Sequence, residues 1–158
     1  MKIKFVQKED FINYKKPSFV VGFPYCTFKC DKEAGCQVCQ NSTLATMPTI
    51  ELSAERIVGE YENSDIAKSI CFCGLEPMDS FNDVVDLITT FRNKNINDAI
   101  VIYSGYNKDE IQDKIDVLKQ YKNIIVKYGR FIPNDIPRYD DVLGIMLASS
   151  NQYAEQIS

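Results

Sequence analysis

The chain has 158 residues, a hydrophobic fraction of 45%, a charged fraction of 25% and a net charge of −4, which indicates one soluble globular domain. The acidic charge without a basic cluster argues against nucleic-acid binding, and no apolar run is long enough to span a membrane. The polar first ten residues do not resemble a signal peptide, so we expect a cytoplasmic protein.

Short apolar segments rich in β-branched residues alternate with helical patterns along the chain. Strands are predicted over residues 18–22, 69–73, 99–103, 124–127 and 142–147. Because their apolar residues are nearly continuous, these strands indicate a parallel sheet that is buried on both faces and covered by helices.

Three helices are predicted between these strands. The first begins after Ser53 as its N-cap and runs to about Tyr61, and the second begins after Ser80. The third begins after Asn107 and runs to about Tyr121. The alternation predicts an α/β fold in one domain over residues 1–158, either an open, mostly parallel sheet or a partial (βα) barrel.

Ligands of such folds bind at the carboxyl ends of the strands. Three segments are therefore expected at one edge of the sheet. They are the cysteine-containing loop after the first core strand, G-L-E-P at 74–77 and S-G-Y at 104–106.

Four cysteines lie within fourteen residues in the spacing C-x3-C-x5-C-x2-C, at Cys26, Cys30, Cys36 and Cys39. A structural zinc site, an iron–sulfur cluster and disulfides all use closely spaced cysteines. In a reducing cytosol, clustered cysteines more often bind metal than form disulfides. The chain contains no histidine, which excludes mixed cysteine–histidine zinc sites and an imidazole base. The spacing alone leaves zinc, an iron–sulfur cluster and disulfides open.

The turn after the second core strand contains Gly74, Leu75, Glu76 and Pro77. A glycine there permits close approach of the backbone to a ligand, and the glutamate supplies a fixed carboxylate. Such a turn can also be an ordinary strand-to-helix connection whose acid favours the N-terminus of the next helix. Its predicted position beside the cysteine loop favours the ligand-binding interpretation.

These motifs together resemble the radical S-adenosylmethionine (SAM) superfamily. In that superfamily a C-x3-C-x2-C loop follows the first strand and a G-G-E-P-like turn follows the second. Here C-T-F-K-C at 26–30 and V-C-Q-N at 38–41 are similar to the two ends of the loop, and G-L-E-P is similar to the turn. The segments Y-S-G-Y, G-R-F-I and S-S-N-Q, at 103–106, 129–132 and 149–152, resemble the activating proteins of anaerobic ribonucleoside-triphosphate reductases.

The chain differs from the superfamily pattern at three points. Eight residues separate Cys30 from Cys39 where the family has two, Leu75 replaces a glycine, and Ala148 stands where relatives can have an arginine.

The resemblance implies a [4Fe–4S] cluster and SAM as cofactors. In the superfamily the reduced cluster cleaves SAM into methionine and a 5′-deoxyadenosyl radical, which abstracts a hydrogen atom from the substrate. The cofactors perform the chemistry and the protein ligates and orients them, so no histidine is needed.

The resemblance also assigns site residues one by one. The implied cluster ligands are Cys26, Cys30 and Cys39. The implied SAM contacts are Val38, Asn41, Gly74, Leu75, Glu76 and Ser104.

The remaining cysteines are less constrained. Cys36 is interpreted as a spectator within the inserted residues, although it could replace Cys30 or help to bind zinc. Cys71 and Cys73 lie two apart on a strand and therefore face the same side. We expect them to be core residues, with lining of the cluster cavity as the alternative.

The function implied is a radical SAM activating enzyme that installs a glycyl radical on a partner, an anaerobic ribonucleotide reductase. Flavodoxin or ferredoxin would supply the electron. Two alternatives remain: a radical SAM enzyme with another substrate, and a non-catalytic module whose four cysteines bind zinc and mediate protein contacts.

Overall fold

The structure, a computed structural model, describes residues 1–158 and contains ten strands, five α-helices and two 3₁₀ turns. The strands are β1 (Lys2–Ile3), β2 (Phe5–Asp10), β3 (Ser18–Phe23), β4 (Ile50–Glu51), β5 (Ser69–Gly74), β6 (Ala99–Tyr103), β7 (Ile124–Tyr128), β8 (Arg138–Asp140), β9 (Ile145–Leu147) and β10 (Tyr153–Gln156). The helices are α1 (Lys29–Ala34), α2 (Ser42–Thr46), α3 (Ala54–Glu62), α4 (Phe81–Asn93) and α5 (Gln112–Leu118), and the 3₁₀ turns are Pro77–Ser80 and Lys108–Ile111.

Six strands form one mixed sheet in the order β10-β7-β6-β5-β3-β2. The four central strands are parallel to one another, while β2 and β10 pair antiparallel at the two edges. The sheet is open because its edge strands do not pair with each other. The predictions of a single α/β domain and of an open, mostly parallel sheet are confirmed, with the cysteine loop directly after β3.

The four predicted core strands at 18–22, 69–73, 99–103 and 124–127 are present, but the predicted strand at 142–147 is wrong. Only Ile145–Leu147 is extended, and it pairs with β8 in a separate hairpin. The preceding residues form a turn in which Leu143 donates its backbone N–H to the Asp140 carboxylate at 2.9 Å. Gly144 there has a positive φ of 72°. The apolar character of Val142 and Leu143 thus reflects their packing within a turn. A short apolar run does not distinguish such a turn from a strand.

The predicted helices are present with changed ends. Ser53 caps α3 by accepting a hydrogen bond from the Arg56 backbone N–H at 3.2 Å. Ser80 occupies the N-cap position of α4 as predicted, but its side chain makes no capping hydrogen bond. A 3₁₀ turn precedes α4, and the Glu76 carboxylate caps that turn. After Asn107 a 3₁₀ turn comes first, and α5 ends at Leu118.

Successive residues of the central strands alternate between two apolar clusters. Phe19, Ile70 and Ile100 belong to the larger cluster, which the helices α3, α4 and α5 cover. Val20 and Cys71 belong to a smaller cluster on the other face. That second face is covered by Tyr14, Leu143 and Leu147, from the β2–β3 loop and the β8–β9 region, rather than by helices. No helix has the length and apolar character needed to cross a membrane.

Candidate functional site

A cavity of about 470 Å³ lies at the carboxyl ends of β3, β5, β6 and β7. The cysteine loop, the 74–77 turn and the 104–106 segment all contribute to its wall, as the strand order predicts. Its lining includes every predicted site residue except Val38, namely Cys26, Cys30, Cys39, Asn41, Gly74, Leu75, Glu76 and Ser104. The fold thus gathers residues from across the sequence at one opening.

The three thiols predicted as cluster ligands face this cavity and differ from Cys36. Cys26, Cys30 and Cys39 are free and half-buried, whereas Cys36 is exposed and absent from the lining. Burial raises the pKa of Cys26 to about 12, and burial together with the neighbouring Cys39 thiol raises the pKa of Cys30. Without a metal the Cys26 and Cys30 thiols are therefore protonated at neutral pH, so loading a metal on them releases protons.

The donor set fits an iron–sulfur cluster. In such a cluster each thiolate binds a different iron, so the sulfurs line a cavity instead of meeting at one point. Three thiols around an opening, with no histidine in the chain, suit that requirement.

The start of the cysteine loop is fixed by Asp79, which the sequence analysis missed. Its carboxylate accepts hydrogen bonds from the Thr27 backbone N–H at 2.7 Å and from the Tyr106 hydroxyl at 2.6 Å. The Thr27 and Tyr106 hydroxyls also lie 3.2 Å apart. One carboxylate therefore links the cysteine loop, the 3₁₀ turn Pro77–Ser80 and the residues after β6.

Helix α1, which contains Cys30, is attached by charged residues to the body of the protein. Glu110 forms a bidentate pair with Arg130 at 2.6 and 2.7 Å and a salt bridge with Lys29 at 2.9 Å. The Arg130 guanidinium lowers the pKa of Glu110 to about 2. Arg130 Nε also lies 3.0 Å from the exposed Glu33 carboxylate, as an ion pair without hydrogen-bond geometry. The Glu110 contacts with Arg130 and Lys29 hold α1 against the residues that follow β7.

Asp31 connects the two ends of the inserted segment between Cys30 and Cys39. Its Oδ1 accepts hydrogen bonds from the backbone N–H groups of Val38 and Cys39, both at 2.8 Å. Val38 is half-buried and its side chain lies outside the cavity lining, so its predicted contact with SAM stays a prediction.

Glu76 is buried in the 74–77 turn, and its carboxylate accepts hydrogen bonds from two backbone N–H groups. Oε1 accepts from the Met78 N–H at 3.1 Å, and Oε2 accepts from the Gly105 N–H at 2.7 Å. Burial raises the pKa of Glu76 to about 7, although these hydrogen bonds oppose the rise. The side chain joins the end of β5 to the end of β6, and it lines the cavity.

The neighbouring predicted residues pack closely around this turn. The Asn41 side-chain amide donates to the Gly74 carbonyl at 2.8 Å, which connects the cysteine loop to the turn. Gly74 has φ +91°, and a Cβ there would lie 2.8 Å from the Phe23 backbone nitrogen, so glycine is required. Ser104 accepts a hydrogen bond from the Tyr106 N–H at 3.0 Å.

Cys71 and Cys73 occupy different environments on the same face of β5. Cys71 is fully buried in the smaller apolar cluster, as predicted. Cys73 packs against that cluster and also lines the cavity, which was the alternative interpretation. Burial raises the pKa of Cys73 to about 12.

Lys127 is a charged group in the cavity that the sequence analysis missed. It is 7% exposed, lines the cavity and donates from Nζ to the Gly129 carbonyl at 2.9 Å. Burial lowers its pKa to about 8, while the nearby Glu76 carboxylate acts in the opposite direction. A single lysine at the end of an apolar strand gives no motif from which this position could be recognised.

These features define an α/β domain with a thiol-lined cavity at the carboxyl edge of its sheet. Residues 18–152 match the model of a family described as a 4Fe-4S single cluster domain. The chain belongs to this family and is an iron–sulfur cluster protein. No curated protein and no solved structure is significantly similar to it.

Proposed function

We propose that the protein binds a [4Fe–4S] cluster through Cys26, Cys30 and Cys39, binds SAM beside it and acts as a radical SAM activating enzyme. The observation that carries this proposal is the convergence of three thiols and the Glu76 turn on one cavity, in a member of a 4Fe-4S family. Cys36 is a spectator in this proposal because it is exposed and outside the lining.

A [4Fe–4S] cluster with three protein thiolates supplies one-electron reduction and an iron with a free position for an exogenous ligand. The chain supplies the thiolates, and it shields them partly from solvent because all three are half-buried. Asp79 and Glu110 fix the loop that holds Cys26 and Cys30.

The charges in the cavity are complementary to the methionine end of SAM, which has an ammonium and a carboxylate. Glu76 and the Gly74 and Leu75 carbonyls would receive the ammonium. Lys127 would pair with the carboxylate, because its ammonium is buried with one carbonyl as its hydrogen-bond partner. Each ligand charge then meets an opposite charge on a buried side chain, where such pairs are stronger than in water. Asn41 and Ser104 are further polar contacts at the same wall.

The substrate in this proposal is a glycine of a glycyl-radical enzyme, an anaerobic ribonucleotide reductase, with flavodoxin or ferredoxin as the electron donor. Support comes from the resemblance of the 103–106, 129–132 and 149–152 segments to reductase activators. Two of these segments begin where β6 and β7 end, and Tyr103, Ser104 and Arg130 from them line the cavity. The working environment would be an anaerobic cytoplasm.

The test is SAM cleavage by the anaerobically reconstituted protein. Purified chain is loaded with iron and sulfide, reduced with dithionite and given SAM, and 5′-deoxyadenosine is measured. The wild type and Cys36→Ala should form it, while Cys26→Ala, Cys30→Ala and Cys39→Ala should not. One tightly bound zinc per chain and no deoxyadenosine in the wild type would overturn the proposal in favour of a zinc-binding module.

The partner requires a separate measurement. Candidate reductase is added to the active mixture and the glycyl radical is observed by EPR. SAM cleavage without a radical on the reductase would support the radical SAM chemistry and refute the reductase as the substrate.

A further inference from the structure

The segment between Cys30 and Cys39 leaves the cavity wall and must lead the chain back to it. Cys30 lies in α1, which ends at Gly35 in the left-handed conformation, with φ 67°. Cys36 and Gln37 are then exposed, and no side-chain hydrogen bond joins either of them to the body of the protein. Nevertheless Cys39 comes back to the cavity wall beside Cys30.

The residue next to Cys30 makes the contact that joins the two ends of this segment. Asp31 Oδ1 accepts the backbone N–H groups of Val38 and Cys39, both at 2.8 Å. Hydrogen bonds to a charged acceptor are shorter and stronger than neutral ones. A single carboxylate thus connects the backbone beside one thiol to the backbone of the other.

We propose that Asp31 is the positioning residue that sets the distance between Cys30 and Cys39 for cluster binding. With a short cysteine spacing, the connecting chain itself keeps two thiols close together. Here eight residues intervene, and the Asp31 carboxylate would keep the two thiols close instead. The inference rests on the ligand assignment of the proposed function. It explains how an inserted segment with an exposed cysteine is compatible with a three-thiolate site.

The carboxylate also has an electrostatic consequence. It places a negative charge beside two ligands, and it occupies two backbone N–H groups that could otherwise donate to cluster or ligand sulfur. Both effects disfavour addition of an electron, because negative charge lowers and hydrogen bonds to sulfur raise the reduction potential of a cluster.

The test compares Asp31→Ala, Asp31→Asn and the control Glu33→Ala in the anaerobically reconstituted full chain. Glu33→Ala removes the same charge from the same helix but no contact with Val38 or Cys39. We expect Asp31→Ala to lose iron to a chelator about 10-fold faster or more, the usual range for loss of an outer-shell partner. Asp31→Asn keeps an acceptor oxygen, so it should retain iron like the wild type while its cluster has a higher reduction potential. Glu33→Ala should retain iron like the wild type.

Iron retention by Asp31→Ala equal to that of the wild type would overturn the inference, as would an Asp31→Asn variant as labile as Asp31→Ala. An unchanged potential in Asp31→Asn would refute the electrostatic part. Circular dichroism of the cluster-free variants checks folding, and if Asp31→Ala does not fold, the retention and potential of Asp31→Asn decide. Cys39→Ala distinguishes a failure of the ligand assignment from a failure of the positioning role. A normal cluster in Cys39→Ala would refute the ligand assignment. A normal cluster in Asp31→Ala but not in Cys39→Ala would refute the positioning role alone.

Discussion

The buried carboxylate of Glu76 should make the stability of the cluster-free protein depend on pH. Burial raises its pKa from 4.5 to about 7 in the folded chain, and at about 1.36 kcal/mol per pKa unit this difference corresponds to about 3 kcal/mol. Because the folded state holds the proton more tightly, this stability is fully present below pH 4.5 and is lost as the pH rises towards 7.

Between pH 5 and pH 7.5 the free energy of unfolding of the wild type should fall by about 2 kcal/mol relative to that of Glu76→Gln. The variant has no carboxylate to ionise at this position, and the Cys26 thiol, with a pKa of about 12, does not titrate in this window.

Urea unfolding of both proteins, cluster-free and with reductant, measures this difference. A difference between wild type and Glu76→Gln that stays constant from pH 5 to pH 7.5 would refute the reasoning. It would mean that the hydrogen bonds from Met78 and Gly105 compensate fully for the burial of the charge.

Two further substitutions test the cavity wall. Lys127→Met should raise the free energy of unfolding of the cluster-free protein at pH 7 by about 1–3 kcal/mol, because a buried ammonium with a lowered pKa is removed. The same change should weaken SAM binding severalfold or more, and a gain in stability with unchanged SAM affinity would refute its carboxylate-binding role. Gly74→Ala should cost about 2 kcal/mol or more in urea unfolding, because φ is +91° and the new Cβ would meet Phe23 and Gly22. Wild-type stability of Gly74→Ala would contradict the required positive φ.

The central strands were predictable because their residues are apolar on both faces. The edge strands β2 and β10 were missed, since F-V-Q-K-E-D and Y-A-E-Q contain polar residues that a one-sided edge tolerates. The run at 142–147 was misread because Val142 and Leu143 are buried by a turn around Asp140. Local apolarity reports burial, and it does not distinguish a strand from a packed turn.

For the candidate site, the sequence located the segments and the structure added the residues that hold them. Cys26, Cys30, Cys39 and Glu76 could be named from their motifs. Asp31, Asp79, Glu110 and Lys127 could not, because each acts through a partner distant in sequence or through the backbone of a loop. A carboxylate that accepts backbone N–H groups has no spacing signature, so only the folded arrangement shows it.

The central claim is that three thiolates hold a [4Fe–4S] cluster whose remaining iron accepts SAM. Its most direct test is the EPR spectrum of the reduced, reconstituted Cys36→Ala protein, recorded before and after addition of SAM. Iron–sulfur analysis of four irons and four sulfides per chain, with a reduced-cluster signal whose g-values change on SAM addition, is the predicted result. A spectrum that saturating SAM leaves unchanged, or a Cys36→Ala protein that cannot assemble the cluster, would contradict the claim.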